Sequence, residues 1–243
     1  MPPAFARRFA LEDSVSDDGS LTVEVAGVQA QLRTSGALWL EAERALVCAD
    51  LHLEKGSAYA ARGQMLPPYD TREALRRLAQ EVEALEPRLI VLLGDAFHDC
   101  AAEDRLCRED AEALSALASG RSLLWVLGNH DPAPPRALPG EWAAELALGG
   151  LSLRHEPAAA PARGEAAGHL HPCARVLAGG RSVRRRCFVT DGERLLLPAF
   201  GAYAGGLSVL DSAIGSLFRS RPLVVVLGSR RAHPVSWTSL AQD

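Results

Sequence analysis

Lysine is nearly absent from this 243-residue chain; Lys55 is the only one, so the basic side chains are almost all arginine. The formal charge is −4, so composition does not mark the chain as a nucleic-acid binder by bulk basicity. Two bound divalent cations would bring that charge to about zero. The five cysteines are odd in number and form no C-x-x-C pair. This argues against a disulfide framework and for a reduced, cytoplasmic setting. No stretch approaches the ~18 uninterrupted apolar residues of a membrane span. The opening MPPAFARRFALEDSVSDD carries acids and lacks a continuous apolar core, unlike a secretory signal. Internal repeats, long charge blocks and a dividing linker are also missing. With 48% hydrophobic residues, a single domain over 1–243 with a sizeable core is expected.

What the chain does have is histidine in a pattern. Six of its seven histidines fall in five short motifs: Asp50-x-His52, Gly94-Asp95-x-x-His98, Gly128-Asn129-His130-Asp131, a lone His155, and Gly168-His169-x-His171. Each sets a metal-ligand residue type beside glycine or at the end of an apolar run. Asp50, His52, Asp95, Asn129, His155, His169 and His171 offer seven N/O ligands. That is enough for two divalent cations sharing a carboxylate, and metals roughly 3.5–4 Å apart are a device for attacking phosphate esters. A single D-x-H is common and means little alone; five motifs in order, each at a strand end, leave little room for scattered surface histidines.

The runs between the motifs predict the scaffold. Leu21–Val25, Val28–Leu32 and Ala37–Leu40 read as strands, as do the buried runs Ala45–Ala49, Leu89–Leu93 and Leu123–Leu127. Residues 70–85 have a helical period with Asp70 as a plausible N-cap, and 103–118 are again helical. Buried strand, ligand loop and amphipathic helix repeat as an α/β signature, and in such sheets ligands gather beyond the strands' carboxyl ends. Gly56 lies in what reads as a polar loop. Leu146–Leu153 reads as a hairpin around Gly149-Gly150, and 157–168 as a mobile Ala/Pro/Gly-rich loop. Strands are expected at 174–178, 183–190 and 194–200, with Gly179-Gly180 and Asp191-Gly192 as turns. A helix is expected over Leu207–Phe218 and a buried strand over Leu223–Leu227.

The motif order resembles the calcineurin-like metallophosphoesterase superfamily across roughly residues 45–175. Asp50-Leu51-His52-Leu53-Glu54-Lys55-Gly56, Gly94-Asp95-Ala96-Phe97-His98-Asp99 and Leu197-Pro198-Ala199-Phe200-Gly201 look closest to its ligase-associated DNA-damage-response endonucleases of PdeM type. The resemblance implies an α/β fold, a four-layer αββα sandwich with two mixed β-sheets. It also implies two divalent metal ions, commonly Mn2+, and DNA phosphodiester hydrolysis by a metal-activated hydroxide, in DNA repair. By the same resemblance Asp50, His52, Asp95 and His171 hold the first metal, and Asp95, Asn129, His155 and His169 the second. His130 is then no ligand and is free to protonate the leaving oxygen. The implied substrate is single-stranded or damaged DNA, with a DNA ligase and a helicase as functional associates.

Many members of that superfamily carry an acid where this chain has His98, whereas its double-strand-break repair nuclease also has histidine there. His98 reads as a supporting or capping residue rather than a ligand, and Asp99 and Asp131 as outer-shell or turn residues. Arg184, Arg185 and Arg186 belong to the densest basic stretch; they are either a solvated hairpin or contacts to a phosphate backbone. Phe200 and Tyr203 are candidates for stacking on bases, the four tryptophans read as core, and His233 reads as a surface residue. The alternative reading of the same scaffold is a small-molecule nucleotide phosphatase or phosphodiesterase. A non-catalytic scaffold protein fits less well, because His130 and every ligand type are present.

Overall fold

The computed structural model describes residues 15–159, 162–178 and 180–242. The N-terminal stretch up to residue 14, residues 160–161 of the Ala/Pro-rich loop and Gly179 of its turn lie outside the described residues.

Two mixed sheets pack face to face. The first holds β1 (Leu21–Val25), β2 (Val28–Leu32), β3 (Leu38–Leu40), β4 (Ala45–Cys48), β5 (Leu89–Leu93), β6 (Ser122–Val126) and β7 (Glu141–Ala143) in sequence order. The pairs from β1 to β4 are antiparallel and those from β4 to β7 parallel. The second sheet holds β8 (Glu145–Leu148), β9 (Leu151–Arg154), β10 (Glu165–Ala167), β11 (Pro172–Ala178), β12 (Arg181–Thr190), β13 (Arg194–Leu196) and β14 (Leu207–Ser208). To it are joined β15 (Leu223–Leu227), β16 (Ala232–Val235) and β17 (Leu240–Ala241).

Side-chain alternation explains the layers. In β5, Val91 and Leu93 face the second sheet's Leu153, Phe188 and Leu195, while Ile90 and Leu92 face helices. This is the period of two that a strand buried on both faces requires. Those helices are α1 (Lys55–Ala60), α2 (Asp70–Leu85), α3 (Ala102–Arg105) and α4 (Arg108–Leu117). Leu75 and Leu78 of α2 and Leu114 of α4 fill that layer. On the far face of the second sheet, Val209, Ile214 and Phe218 cover Val189, Leu196 and Val224.

Several expectations need correction. The fourth layer is mostly irregular; instead of a helix over 207–218 there is β14 and the single turn α5 (Ser212–Gly215). Its Leu, Val and Ile spacing mimics a helix, but Asp211 caps a much shorter one through a bond from the Ala213 amide. The helical stretch at 103–118 breaks into α3 and α4 at Leu106-Cys107, where the backbone is extended. Asp70 does not cap its helix; it opens α2 and accepts the Gly56 amide at 2.9 Å. Gly56 itself lies in α1 rather than in a loop. Residues 165–167, read as loop, form the buried strand β10 between β9 and β13. Glu165 there pairs with the buried Arg194 at 2.8 Å. Leu197–Phe200 is not strand but crosses to the first sheet: the Phe200 amide donates to Ala49 O and the Gly201 amide to Asp50 O.

Candidate metal centre

Five strand ends meet at one point. β4, β5 and β6 run parallel, so their carboxyl ends deliver Asp50, Asp95 and Asn129-His130 to the same edge. From the second sheet, β9 and β10 run parallel and deliver His155 and His169. The site therefore straddles both sheets at the carboxyl ends of their strands, where α/β folds bind ligands.

The local backbone is unusual. Asp50, His52, Asp95, His169 and His171 all have positive φ, between 46° and 67°. Asp and His tolerate the left-handed region better than most residues, yet each such conformation costs free energy. The turns are tied down to compensate. His52 N donates to Asp95 O and Asp50 N to Gly94 O. Glu54, a third alternate positive-φ residue, is buried and accepts from Thr71 Oγ1 at 2.8 Å and Ser57 Oγ at 2.6 Å. The sequence assigns Glu54 no role; its signals are its place two residues beyond His52 and within the Asp50–Gly56 string.

Glycine clears room for the ligands. A Cβ on Gly94 would lie 2.3 Å from His155 Nδ1, and one on Gly168 2.5 Å from Asp50 Oδ2. Gly94 and Gly168 are thus contact surfaces for ligands from the other sheet.

The candidate ligands converge as two groups. His52 Nε2 and His171 Nε2 are 3.2 Å apart, and Asp50 Oδ1 is 3.2 Å from His171 Nε2. In the second group His155 Nε2 is 3.0 Å from Asn129 Oδ1 and 3.2 Å from His169 Nδ1. Asp95 Oδ2 sits between them, 3.8 Å from His52 Nε2 and 3.4 Å from His155 Nε2. Asp50, His52, Asp95 and His155 are buried, with at most 5% exposure.

The donor chemistry fits divalent cations. His171 Nδ1 faces Gly205 O at 3.2 Å and His155 Nδ1 faces Leu93 O at 3.3 Å. A carbonyl only accepts, so each Nδ1 carries the proton and each Nε2 presents its lone pair to the centre, the usual arrangement of a metal-ligating histidine. Burial, reinforced by the neighbouring His171, pushes His52 down to about 3, which keeps it neutral. Burial would raise Asp95, but the neighbouring His155 and the bond from the His130 amide outweigh that and hold it at about 2. For His155, burial is opposed by Asp95 and Asp50, which raise it.

His130 stands at the rim, with 41% of its side chain exposed and Nε2 4.0 Å from Asp95 Oδ2. Its amide donates to Asp95 Oδ1 at 2.8 Å and its Nδ1 faces His98 O at 2.8 Å. The ring of His98 stacks on that of His130 at 5.5 Å. Asp131 Oδ1 accepts the Asp95 and Gly128 amides, and Oδ2 accepts the Phe97 amide. Burial raises Asp131 to about 6. Asp99 turns away to Arg105, at 2.9 Å through both oxygens.

The expected substrate contacts divide. Arg184 and Arg185 are exposed, whereas Arg186 is half-buried and donates to Ala199 O at 2.6 Å and to Phe200 O and Ser35 O at 3.3 Å. Burial pulls Arg186 down to about 10. It anchors the crossing segment and is spent on carbonyls. Phe200 is fully buried with the Arg77 guanidinium 4.8 Å over its ring, so no face is open to a base. Tyr203 is partly exposed and donates through its hydroxyl to Pro67 O.

With this geometry in hand, known proteins give a family. The calcineurin-like phosphoesterase family model matches residues 43–175, more than half of the chain. The chain belongs to that family. Its members are phosphoesterases, and the His/Asp clusters found here are consistent with divalent metals in a binuclear site. The crystal structure of the Pseudomonas putida nuclease MPE is similar, with a TM-score of 0.70 and 27% identity over 89% of this chain and 100% of that one. The E. coli phosphoesterase Yfce gives a TM-score of 0.38 and 16% identity, over 79% of this chain and 98% of that one. No curated protein sequence matches. Among the described residues, no helix is long and apolar enough to cross a membrane.

Proposed function

We propose that this phosphoesterase is a DNA endonuclease of the ligase-associated DNA-damage-response type, hydrolysing phosphodiesters with two divalent cations, Mn2+ by preference. The observation that carries the reading is Asp95 Oδ2 between two imidazole groups, 3.8 Å and 3.4 Å away. The likeness to a protein described as a nuclease, over 89% of the chain, favours DNA over a small nucleotide. A DNA ligase and a helicase are the functional associates of this reading.

Asp50, His52, Asp95 and His171 would hold one cation, and Asp95, Asn129, His155 and His169 the other. When bound, such a pair supplies charge for the phosphoryl oxygens and a water of lowered pKa. The chain's own residues do the rest. The His98 carbonyl accepts a hydrogen bond from His130 Nδ1–H and fixes the ring. Nε2 then faces the centre and, when protonated, can deliver that proton to the departing deoxyribose oxygen. Asp131 gathers three amides of the β5 and β6 loops and so holds Asp95 in place.

The test is one purified sample assayed on single-stranded DNA, duplex DNA and a nitrophenyl phosphodiester, across a metal panel and after chelation. DNA cleavage that disappears with chelator and returns with Mn2+ is expected. Turnover of nucleotides or the aryl ester with no DNA cleavage would overturn the nuclease assignment.

A further inference from the structure

A large groove lies apart from the candidate metal ligands. It has a volume of about 1260 Å3 and lies along β12 and the β15–β16 hairpin. Arg184, Arg185, Arg230, Arg231 and His233 line it and are exposed, and Asp17 is the one acid among its described lining residues. In a chain of net charge −4, such a concentration of one sign is a local feature that composition hides. Two separate sequence stretches build it, brought together because β12 pairs with β15 and β15 with β16. At this volume it exceeds the usual ~300–1,000 Å3 of a small-molecule pocket.

Two glycines link Arg184 of the groove to the candidate metal centre. Gly205 O accepts a hydrogen bond from Nδ1 of His171, a candidate ligand. The next carbonyl, Gly206 O, accepts from the Arg184 guanidinium at 2.6 Å. One peptide unit, about 3.8 Å along the chain, thus separates the support of a ligand from the start of the arginine surface.

We infer that this groove is a phosphate-backbone track, which carries the nucleic-acid strand on one side of the phosphate being cut. The inference rests on the proposal that the substrate is DNA. Arginines aimed at phosphates give affinity and register without reading sequence, so the track would favour long substrates over dinucleotides. Arg186 takes no part, because its guanidinium is committed to three carbonyls.

The experiment replaces Arg185, Arg230 and Arg231 with Gln together, leaving Arg184 and its glycine contact intact. Binding of a labelled long oligodeoxynucleotide is followed against salt, and cleavage is compared for a long and a very short oligonucleotide. Turnover of a nitrophenyl phosphodiester reports separately on the metal centre. The variant is expected to bind the long strand about tenfold or more weakly. Its log–log salt slope should fall by about 2, roughly 0.7 for each of three phosphates, and KM should rise for the long substrate alone. An unchanged slope and an unchanged preference for length would overturn the track. A protein that turns over the aryl ester but cleaves no DNA overturns the proposed substrate instead; the salt slope of binding then still decides the track. If the triple variant loses aryl turnover, Arg230→Gln with Arg231→Gln, both outside β12, gives the same decision with an expected slope change of about 1.4.

Discussion

His52 Nε2 and His171 Nε2 face each other across 3.2 Å, although they are contributed by different sheets. His171 already donates from Nδ1 to Gly205 O, so its Nε2 lone pair points at the space it shares with His52, Asp50 and Asp95. A cation there would take both imidazoles as ligands. Metal binding should therefore stabilise the fold as well as enable chemistry. At free Mn2+ a hundredfold above Kd each site contributes about 2.7 kcal/mol. Metal analysis is expected to find two ions per chain, with Tm falling clearly in chelator. A melt indifferent to chelator would contradict this.

His130→Ala is expected to keep both metals, because no metal role is assigned to its ring. It should lose ~10²–10⁴-fold in turnover of DNA, the usual contribution of a positioned acid. The loss should be much smaller on a nitrophenyl ester, whose leaving group needs no proton. Equal losses on both substrates, with metal retained, would make His130 an electrostatic clamp on the phosphoryl group.

Gly94→Ala should damage the centre without touching a ligand. Its Cβ would meet the His155 ring at 2.3 Å, on a backbone with φ of +73°. Overpacking of this kind costs about 1–3 kcal/mol, and the positive φ adds to it. Loss of the second metal before the first is expected in metal titrations. A Gly94→Ala protein with two metals and normal turnover would show that β5 and His155 can move apart without cost to the site.

Arg186→Ala should destabilise the protein by about 1–3 kcal/mol, since buried acceptors lose a charged donor. It should leave the salt slope of DNA binding unchanged, in contrast to the neighbouring Arg185. A drop in that slope without a drop in Tm would return Arg186 to the substrate surface.

The scaffold of the site was legible because β4, β5, β6 and β15 are apolar runs ending in glycine or a polar residue, and burial on both faces demands that composition. The convergence of Asp50, Asp95 and Asn129 on one edge was legible for the same reason: each lies just beyond such a run. β10 was not, since Glu165-Ala166-Ala167 carries no strand propensity and is strand only because β9 and β13 flank it. Arg186 and Phe200 misled because alternation along a strand predicts which residues share a face but not which face a crossing segment covers. The segment Leu197–Gly201 does that covering, and its docking on Ala49 and Asp50 is a long-range event.

The two-sheet origin of the centre has a consequence for how the chain loses and regains activity. Residues 50–129 supply four of the candidate ligands and residues 155–171 the other three. Neither stretch completes a coordination set alone, so a bound ion would act as a clasp between halves of the chain. Any opening that separates the sheets, even one that leaves each intact, would release the ion. Metal retention would then report the docking of the two sheets, a property that secondary-structure content cannot see.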